Sequence, residues 1–564
     1  MSLKSLLALC LLCALLLPAL PAQAADPLDI PIAPSASAFQ SDGRYIVWLE
    51  QEADDVASRV LVARSLSTGQ TTIVTRGLPA VSSDRPDEIA LDRGVVVWIE
   101  GDGAQRTLRA QRLERGETFM IVTGDVSRPA ISGEIVSWWE GISQQAAARP
   151  DPLPATLKAR NIATLAPATT LAQTPNTLYG FGVSRMSSSW VVWSQAISGS
   201  NHGGRAWQIS AAPISGGAAR VVGDPGVIGP DSFDLAALSN RLVYTHLTIM
   251  PAPGSPYSVD LVSVNLDTGE SVTSGPHGMI WRPETEDRYV FWQKWHEGEN
   301  IVDLWGYDSQ TDSAFVIASE QVARANTVAP QTFVAFPGGL AWTTLDAQGM
   351  TLHIRPIRDL LPSAPRPGPS TSDQLYFPET GHTLAGGFRA FWERSGGLPV
   401  FGFALTEEFI ERPAGGSQGF TVQYFERQRY ELHPENSGTP YEVLLGRLGA
   451  EALERKGIDW TTLPKASPSA LHYVAATGHA IAPQFWDYWR GHGLELGDRG
   501  VSEREALALF GYPLTEPTME TNSSGDTVLT QWFERGRFEY HPNNPEASRV
   551  LLGRLAADVL AERW

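Results

Sequence analysis

A short strand-like pattern recurs seven times in the first two thirds of the sequence. Each copy has a polar turn and then three or four β-branched or aromatic residues, as in Tyr45-Ile46-Val47-Trp48. The aromatic residues that end the seven runs are 40 to 55 residues apart, and they are Trp48, Trp98, Trp138, Trp193, Tyr244, Trp292 and Trp342. Runs of this composition and length predict β-strands.

The residues between these runs indicate further strands. Leu61 to Leu66 precedes the turn Ser67-Thr68-Gly69, and Leu261 to Leu266 precedes the turn Asp267-Thr268-Gly269, which predicts hairpins. Helical periodicity is nearly absent before residue 380. Four short strands in a repeat of about 45–50 residues are typical of a β-propeller blade. We therefore predict a mainly β protein with a seven-bladed propeller over residues 25–360, and six or eight blades remain open.

These repeats resemble those of TolB-type β-propellers. In that family a turn ending in glycine precedes a strand ending in an aromatic residue, as in Ser41-Asp42-Gly43 before Trp48, and a hairpin such as Asp267-Thr268-Gly269 follows. The resemblance covers about residues 40–358. It implies a periplasmic or surface propeller that docks other proteins or glycans, and it implies no particular substrate.

The N-terminal segment has the layout of a cleaved secretory signal. A single charge, Lys4, precedes the apolar run Leu6 to Leu17, and the small-x-small triplet Ala22-Gln23-Ala24 follows. We predict a signal peptide over residues 1–24 and a secreted, periplasmic or cell-surface location. Lipid attachment at Cys10 is the alternative. Both cysteines of the chain, Cys10 and Cys13, lie in this segment, so we expect no disulfide in the mature protein.

Charge and motifs exclude several classes of function. The net charge of −19 disfavours nucleic acid as a partner. Beyond the N-terminal segment there is no stretch of about 18 apolar residues, so we expect no transmembrane segment. The sequence also lacks the H-E-x-x-H, EF-hand and P-loop patterns. We therefore predict no metal and no cofactor, and we expect a monomer.

A proline-rich segment over residues 361–373 predicts a semi-rigid extended linker. Beyond it the sequence repeats itself. Thr380-Gly381-His382 matches Thr477-Gly478-His479, and Gln423 to Pro434 matches Gln531 to Pro542. We predict two small α+β modules, copy 1 over residues 374–457 and copy 2 over residues 470–564, each with a short helix, a hairpin and a closing helix.

The duplicated modules resemble LGFP-type repeats of bacterial cell-wall-associated proteins over about residues 376–560. The stretch Gly511-Tyr512-Pro513-Leu514-Thr515-Glu516 and the later Trp532-Phe533-Glu534-Arg535-Gly536 carry the resemblance. Copy 1 departs from the pattern at Ala404, where the motif has proline. The resemblance implies an association with the cell envelope and no established chemistry.

The hairpins of the two modules contain the strongest polar constellation in the sequence. Aromatic rings beside charged donors can hold a sugar ring or a peptide. The predicted binding residues are Trp392, Tyr424, Glu426, Arg427, Arg429 and His433 in copy 1, and Trp489, Trp532, Glu534, Arg535, Arg537 and His541 in copy 2. The alternative interpretation is that these charges only pair across a hairpin.

Catalysis has weaker support in the sequence. Ser417 lies in Gly415-Gly416-Ser417-Gln418-Gly419, which fits the G-x-S-x-G pattern of α/β-hydrolases. The run is polar, whereas the nucleophile of an α/β-hydrolase lies between a buried strand and a helix. About 190 residues follow the linker, which is fewer than a hydrolase domain needs, and copy 2 has Gly525 at the equivalent position. We therefore assign no nucleophile. We predict a binding or scaffold protein whose propeller docks a protein or glycan and whose modules make a second contact. The alternatives are a secreted hydrolase acting on polysaccharide or peptide at the propeller channel, and a tail that only caps the fold.

Overall fold

The computed structural model describes residues 28–52, 55, 58–79, 88–101, 105–141, 155–174, 181–197, 206–226, 232–236, 238–247, 259–278, 281–296, 301–321, 333–366, 368, 370–412 and 419–563. The predicted signal peptide and Ser417 lie outside these residues. The chain forms two compact units, one comprising Met1–Asp312 and Val316–Leu360 and the other Ser313–Phe315 and Leu361–Trp564.

The described residues up to 356 contain 28 strands. They are β1 Leu28–Ile32, β2 Ser37–Ser41, β3 Tyr45–Gln51, β4 Ser58–Ser65, β5 Thr71–Pro79, β6 Ile89–Asp92, β7 Val95–Glu100, β8 Arg106–Arg112, β9 Glu117–Gly124, β10 Val126–Ser132, β11 Ile135–Glu140, β12 Ala155–Asn161, β13 Thr169–Thr174, β14 Phe181–Met186, β15 Trp190–Ile197, β16 Ala206–Pro213, β17 Arg220–Gly226, β18 Phe233–Leu235, β19 Arg241–His246, β20 Val259–Asn265, β21 Ser271–Gly278, β22 Trp281–Glu286, β23 Tyr289–His296, β24 Ile301–Asp308, β25 Ser313–Gln321, β26 Phe333–Phe336, β27 Gly339–Asp346 and β28 Gly349–Pro356.

These strands are hydrogen-bonded in seven groups of four. The groups are β2–β5, β6–β9, β10–β13, β14–β17, β18–β21, β22–β25, and β26–β28 together with β1. Strand β1 pairs antiparallel with β28, from Leu28 opposite Ile354 to Ile32 opposite Met350, so the N-terminal strand completes the last group. Consecutive four-stranded sheets of this kind form a β-propeller, and the predicted mainly β fold class is confirmed.

The second strand of each group carries the repeated sequence pattern. In β3, Ile46 and Val47 are fully buried and Trp48 is 3% exposed. Ile46 and Trp48 belong to one apolar cluster, while Val47 packs in another together with Trp98 of β7. Both faces of the strand are therefore covered, which explains why the pattern is a continuous apolar run rather than an alternating one.

Carboxylates in the turns join neighbouring groups. Asp42 accepts a hydrogen bond from the backbone N–H of Gly94 at 2.5 Å, and Asp92 accepts one from Gly133 at 2.5 Å. Gly94 has φ +74°, and a Cβ there would lie 3.3 Å from the ring of Tyr45, so this turn favours glycine. The turn signals in the sequence thus have a second role as links between blades.

The second unit contains the two predicted modules in the same order of elements. Copy 1 has β29 Gln374–Phe377, β30 His382–Ala385, α1 Gly386–Arg394, α2 Gly397–Phe401, β31 Phe409–Glu411, β32 Phe420–Tyr424, β33 Arg429–Leu432, β34 Val443–Leu445 and α3 Leu448–Arg455. Copy 2 has β35 Tyr473–Val474, β36 His479–Ala480, α4 Pro483–Gly491, α5 Glu503–Phe510, β37 Thr518–Thr521, β38 Thr527–Trp532, β39 Arg537–Tyr540, β40 Val550–Leu552 and α6 Leu555–Ala561. Single 3₁₀ turns lie at Ile357–Asp359, Pro434–Asn436, Trp460–Thr462 and Glu546–Ser548.

One hydrophobic core serves both copies. Phe391 and Tyr430 of copy 1 and Phe510 and Phe538 of copy 2 belong to the same cluster, and each is at most 1% exposed. Because the two sets of rings share one core, the copies form a single packed body.

The start of the predicted linker packs on the second unit. Leu361 and Ala364 are each 7% exposed. The N–H of Arg366 donates to the carbonyl of Gly381 at 2.7 Å. Apart from Ser313–Phe315, the second unit begins at Leu361, which is the first residue of the predicted linker.

Candidate functional site

In each copy, one arginine begins the second strand of the hairpin, and this arginine is buried. Arg429 is 3% exposed and Arg537 6%. Arg429 donates to both oxygens of Glu451 at 2.7 and 2.8 Å, and Arg537 donates to Asp558 at 2.9 Å. Glu451 and Asp558 lie in the closing helices α3 and α6. These charge-assisted bonds hold each closing helix on its own sheet.

Glu426 and Glu534 connect the two copies. Glu534 accepts from Arg447 of copy 1 at 2.9 Å and from the backbone N–H of Tyr512 at 3.1 Å. Glu426 forms the reciprocal ion pair, at 3.1 Å, with Arg554 of copy 2. The two glutamates therefore occupy equivalent places in an approximately reciprocal arrangement, which we call the copy junction.

The backbone of the same two residues caps the closing helices. The N–H groups of Gly449 and Ala450 donate to the carbonyl of Glu534 at 3.0 and 3.3 Å, and the N–H of Ala557 donates to the carbonyl of Glu426 at 3.2 Å. Neither closing helix has a side-chain N-cap. Of the N–H groups that an α-helix leaves unpaired in its first turn, two in α3 and one in α6 are thus bonded to the other copy.

The remaining arginines of the predicted site lie beside the copy junction. Arg535 donates from Nε to the carbonyl of Leu445 at 3.1 Å, and burial lowers its pKa. Arg427 donates to the carbonyl of Leu398 at 3.4 Å and is 3.9 Å from Glu426. Both side chains are about one quarter exposed, at 24% for Arg427 and 26% for Arg535.

The predicted aromatic residues make equivalent internal contacts in each copy. Tyr424 is fully buried and donates to Glu411 at 2.9 Å, and burial raises its pKa to about 12. Trp532 is 3% exposed and donates to Glu520 at 3.0 Å. Trp489 and the half-buried Trp392 donate from Nε1 to main-chain carbonyls at 3.4 and 3.3 Å.

The histidines of the predicted site contact acidic neighbours. His433 Nδ1 is 2.8 Å from Glu435, and His541 Nε2 is 3.4 Å from Glu539. The structure therefore brings the predicted residues together in pairs within the second unit rather than around one exposed cleft. The binding role predicted for them stays a prediction.

Two histidine–glutamate pairs, each of which contains a buried histidine, were not predicted from the sequence. His382 Nδ1 is 3.2 Å from Glu407, and His479 Nδ1 is 3.1 Å from Glu516. Burial lowers the pKa of His479. The Thr-Gly-His and Leu-Thr-Glu motifs recur in the same order in both copies, and that recurrence could have indicated the pairing.

In the propeller, the first strands of the seven groups line a central pocket of about 130 Å³. Asp234 accepts from the N–H of Thr285 at 2.8 Å and pairs with Arg185 at 3.1 Å. Burial, reinforced by the neighbouring carboxylate of Asp287, raises the pKa of Glu286 to about 7. Asp234 thus joins neighbouring blades, as Asp42 and Asp92 do.

A second pocket in the propeller is rich in arginine. It has a volume of about 360 Å³ and is lined by Arg44, Tyr45, Arg93, Gly94, Val95, Arg112, Glu114, Arg115, Glu134 and Ala163. We call it the arginine pocket. Arg112 forms a two-point ion pair with Glu134, with both contacts at 2.7 Å.

The other three arginines of this pocket are exposed. Within the described part of the chain, the side chains of Arg44 and Arg115 have no ion-pair partner, and Arg93 is 3.8 Å from Asp92. Four guanidinium groups and two carboxylates give the pocket a net positive charge in a chain of net charge −19.

The described residues include no cluster of three or more His, Cys, Asp or Glu side chains placed to hold a metal ion. Among the helices of the described segments, none is long and apolar enough to cross a membrane.

The fold defines the chain as a mainly β protein built on a propeller, and solved structures with similar folds are known. It is similar to oligogalacturonate lyase from Vibrio parahaemolyticus, with 12% identity, a TM-score of 0.41, and coverage of 60% of this chain and 93% of the lyase. It is similar to the β-propeller domain of the Trilobed protease from Pyrococcus furiosus, with 9% identity, a TM-score of 0.39, and coverage of 59% and 97%.

TolB from Acinetobacter baumannii is also similar, with 12% identity and a TM-score of 0.31, over 47% of this chain and 61% of TolB. No protein-family model matches the sequence, and no curated protein matches it.

Proposed function

We propose that the protein is an exported binding protein of the cell envelope whose propeller holds a carboxylate-bearing glycan in the arginine pocket. The observation that carries the proposal is the group of three exposed arginines, Arg44, Arg93 and Arg115, in one pocket of an acidic chain. The predicted secretory signal supports export.

The chemistry of guanidinium favours a carboxylated ligand. Its planar fork can donate two parallel hydrogen bonds to one carboxylate, and it is charged at every physiological pH. The bidentate pair of Arg112 with Glu134 already shows this geometry inside the pocket. Exposed ion pairs contribute only about 0–1 kcal/mol each, so a ligand with several carboxylates is needed for useful affinity.

A glycan fits the pocket better than a compact anion does. The volume of about 360 Å³ is within the range of small-molecule sites. The ring of Tyr45 lines the pocket beside the arginines, and an aromatic ring can cover the apolar face of a sugar while the charges fix its orientation. A polymer with a carboxylate on successive sugars would engage several arginines at once.

Calorimetric titration of the mature chain with a uronate tetrasaccharide tests the proposal, and a neutral glucan of equal length is the control ligand. We expect binding of the uronate only, weakened at high salt because exposed charges are screened. The double variant Arg44→Ala with Arg115→Ala should lose most of the affinity. Arg76→Ala, an exposed arginine outside the pocket, is the matched control and should bind normally.

Equal binding of the uronate by the double variant and the wild type would refute this site. The alternative function, a hydrolase, is examined in the same samples by following the appearance of new reducing ends or peptide termini. Cleavage that persists in the double variant would favour an enzyme acting elsewhere in the propeller.

The two modules are proposed to supply a second contact with the envelope. The partly exposed Arg427 and Arg535 support this because each keeps about a quarter of its side chain in solvent. Sedimentation of the full chain with purified envelope, comparing the wild type with Arg427→Ala plus Arg535→Ala, tests it. Unchanged sedimentation of a folded double variant would place the contact elsewhere.

A further inference from the structure

The two modules differ at one equivalent sheet edge. In copy 1, strand β31 pairs antiparallel with Ser313 and Ala314, the first two residues of β25, with Ser313 opposite Glu411 and Ala314 opposite Ile410. Residues Ser313–Phe315 belong to the same compact unit as β31. The equivalent strand of copy 2 is β37. In the described part of the chain, its sheet has the order β37-β38-β39-β40, so one side of β37 has no paired strand.

The side chains around the two edges correspond closely. Glu411 of β31 accepts from Tyr424, and Glu520 of β37 accepts from Trp532, both from the adjacent strand. Since Tyr424 and Trp532 are equivalent in the duplication, the two glutamates are too. The same framework is therefore present at both edges.

A cation from the other copy's closing segment is also present at each edge. Arg563 contacts both Glu411 and the hydroxyl of Ser313 in copy 1. The equivalent residue 107 positions earlier, Lys456, has its ammonium 5.0 Å from the ring centre of Trp532. Lys456 is exposed and has no ion-pair partner among the described residues.

The place that Ser313 takes in copy 1 corresponds to an open pocket in copy 2. This pocket has a volume of about 350 Å³, and its lining includes Lys456, Glu520, Thr530 and Arg537. Met519, in the middle of β37, is 62% exposed. The sequence Thr-Met-Glu-Thr of β37 contains neither lysine nor proline, and its pairing with β38 shows no bulge, so three of the devices that protect edge strands in natural proteins are absent from it.

We propose that β37 binds an extended segment of another polypeptide, which adds to the sheet as a strand. The segment places a small hydroxyl-bearing side chain opposite Glu520, in the position that Ser313 occupies opposite Glu411. Lys456 can then donate to this hydroxyl, as Arg563 donates to the hydroxyl of Ser313. Backbone hydrogen bonds along β37 supply the affinity, and the pocket beside Lys456 supplies the preference for a small polar side chain. This binding is independent of the arginine pocket of the propeller.

The probe is a synthetic peptide with the sequence of residues 311–317, Thr-Asp-Ser-Ala-Phe-Val-Ile, carrying a fluorophore. Its anisotropy is followed on titration with the full mature chain. We expect saturable binding that weakens at least tenfold in Met519→Pro, because proline cannot donate to an added strand. Lys456→Ala should weaken binding of this peptide but have a much smaller effect on a peptide in which Ser313 is replaced by alanine.

Two controls make the result decisive. Val272→Pro alters an exposed position of an outer propeller strand and should leave binding unchanged. Since Met519→Pro could also disturb β38, Met519→Lys is tested in parallel, and amide exchange of residues 527–532 reports whether the sheet is intact.

No binding by the wild type, or equal binding by wild type and a folded Met519→Lys variant, would overturn the proposal. A wild-type dimer in sedimentation that dissociates in Met519→Lys would also overturn it, because the occupant of the edge would then be a second copy of this chain.

Discussion

Replacing Gly449 by alanine tests whether the copy junction stabilises the second unit. A Cβ on Gly449 would lie 1.9 Å from the carbonyl oxygen of Phe533. To reach an ordinary contact, helix α3 would have to move by more than about 1 Å from the neighbouring chain. The hydrogen bonds from Gly449 and Ala450 to the carbonyl of Glu534, now 3.0 and 3.3 Å long, would then exceed bonding range.

The expected cost follows from these two effects. Forced overpacking costs about 1–3 kcal/mol, and each lost hydrogen bond costs about 0.5–1.5 kcal/mol. Alanine regains about 0.5–1 kcal/mol over glycine in a helix. Because the packing and hydrogen-bond costs describe one displacement and overlap, we expect a net loss of about 2–3 kcal/mol.

Hydrogen exchange of the full chain, followed by mass spectrometry, measures this loss locally. A loss of about 2–3 kcal/mol raises the opening equilibrium roughly 30- to 150-fold. The faster exchange should appear in peptides covering residues 447–456 and 531–536, which face each other at the copy junction. Exchange in the propeller should not change.

The matched control is Gly491→Ala. Gly491 ends helix α4, is exposed, and has nothing within 4 Å of the position of an added Cβ. We expect it to be neutral or slightly stabilising. If Gly449→Ala exchanges as slowly as the wild type, or if both variants change equally, the close approach at the copy junction does not stabilise the unit.

Three further predictions concern charged groups. Glu286 has a folded pKa of about 7, above its unfolded value, so its contribution to stability is greatest below about pH 4.5 and falls as pH rises towards 7. Glu286→Gln should flatten this dependence in denaturation curves and stabilise the propeller above pH 7, by at most about 3 kcal/mol. Arg429→Met should cost about 3–5 kcal/mol in urea unfolding because buried carboxylates lose their partner, whereas the partly exposed Arg427→Ala should cost about 0–1 kcal/mol. Glu534→Ala should cost about 1–3 kcal/mol because it leaves a backbone N–H unpaired, and a double-mutant cycle with Arg447→Ala should give a coupling of only about 0.2–1 kcal/mol.

The propeller could be predicted because the continuous apolar sequences of its strands indicate that both faces of each strand are buried. Val47 and Trp48 are consecutive residues, so their side chains point to opposite faces of the strand, and both are apolar and buried. A strand that is covered on both faces requires such consecutive apolar residues. The contact between Asp42 and Gly94 spans 52 residues and could not be predicted. Either residue is explained equally well by its own local turn, so the sequence contains no signal that the carboxylate of one blade caps the turn of the next.

The duplication was also visible in the sequence, but the partners of the duplicated charges were not. Glu534 is followed directly by Arg535, and a hairpin with such neighbours suggests pairing within the hairpin or exposure to a ligand. In the structure Glu534 pairs with Arg447 of copy 1, and Glu426 pairs with Arg554 of copy 2. Sequence comparison reveals which residues are equivalent, but it cannot reveal that equivalent residues meet across an approximate two-fold arrangement.

This reciprocity determines how a two-site role for the modules can be tested. If the copies were independent, deleting one would remove one binding site and leave the other intact. Here Phe510 and Phe538 of copy 2 complete the core of copy 1, and Glu534 caps a helix of copy 1. Deleting copy 2 would therefore expose large aromatic side chains and remove a helix cap, and any loss of binding would report unfolding. Single substitutions at partly exposed positions, such as Arg427 and Arg535, separate the two effects because they leave the shared core in place.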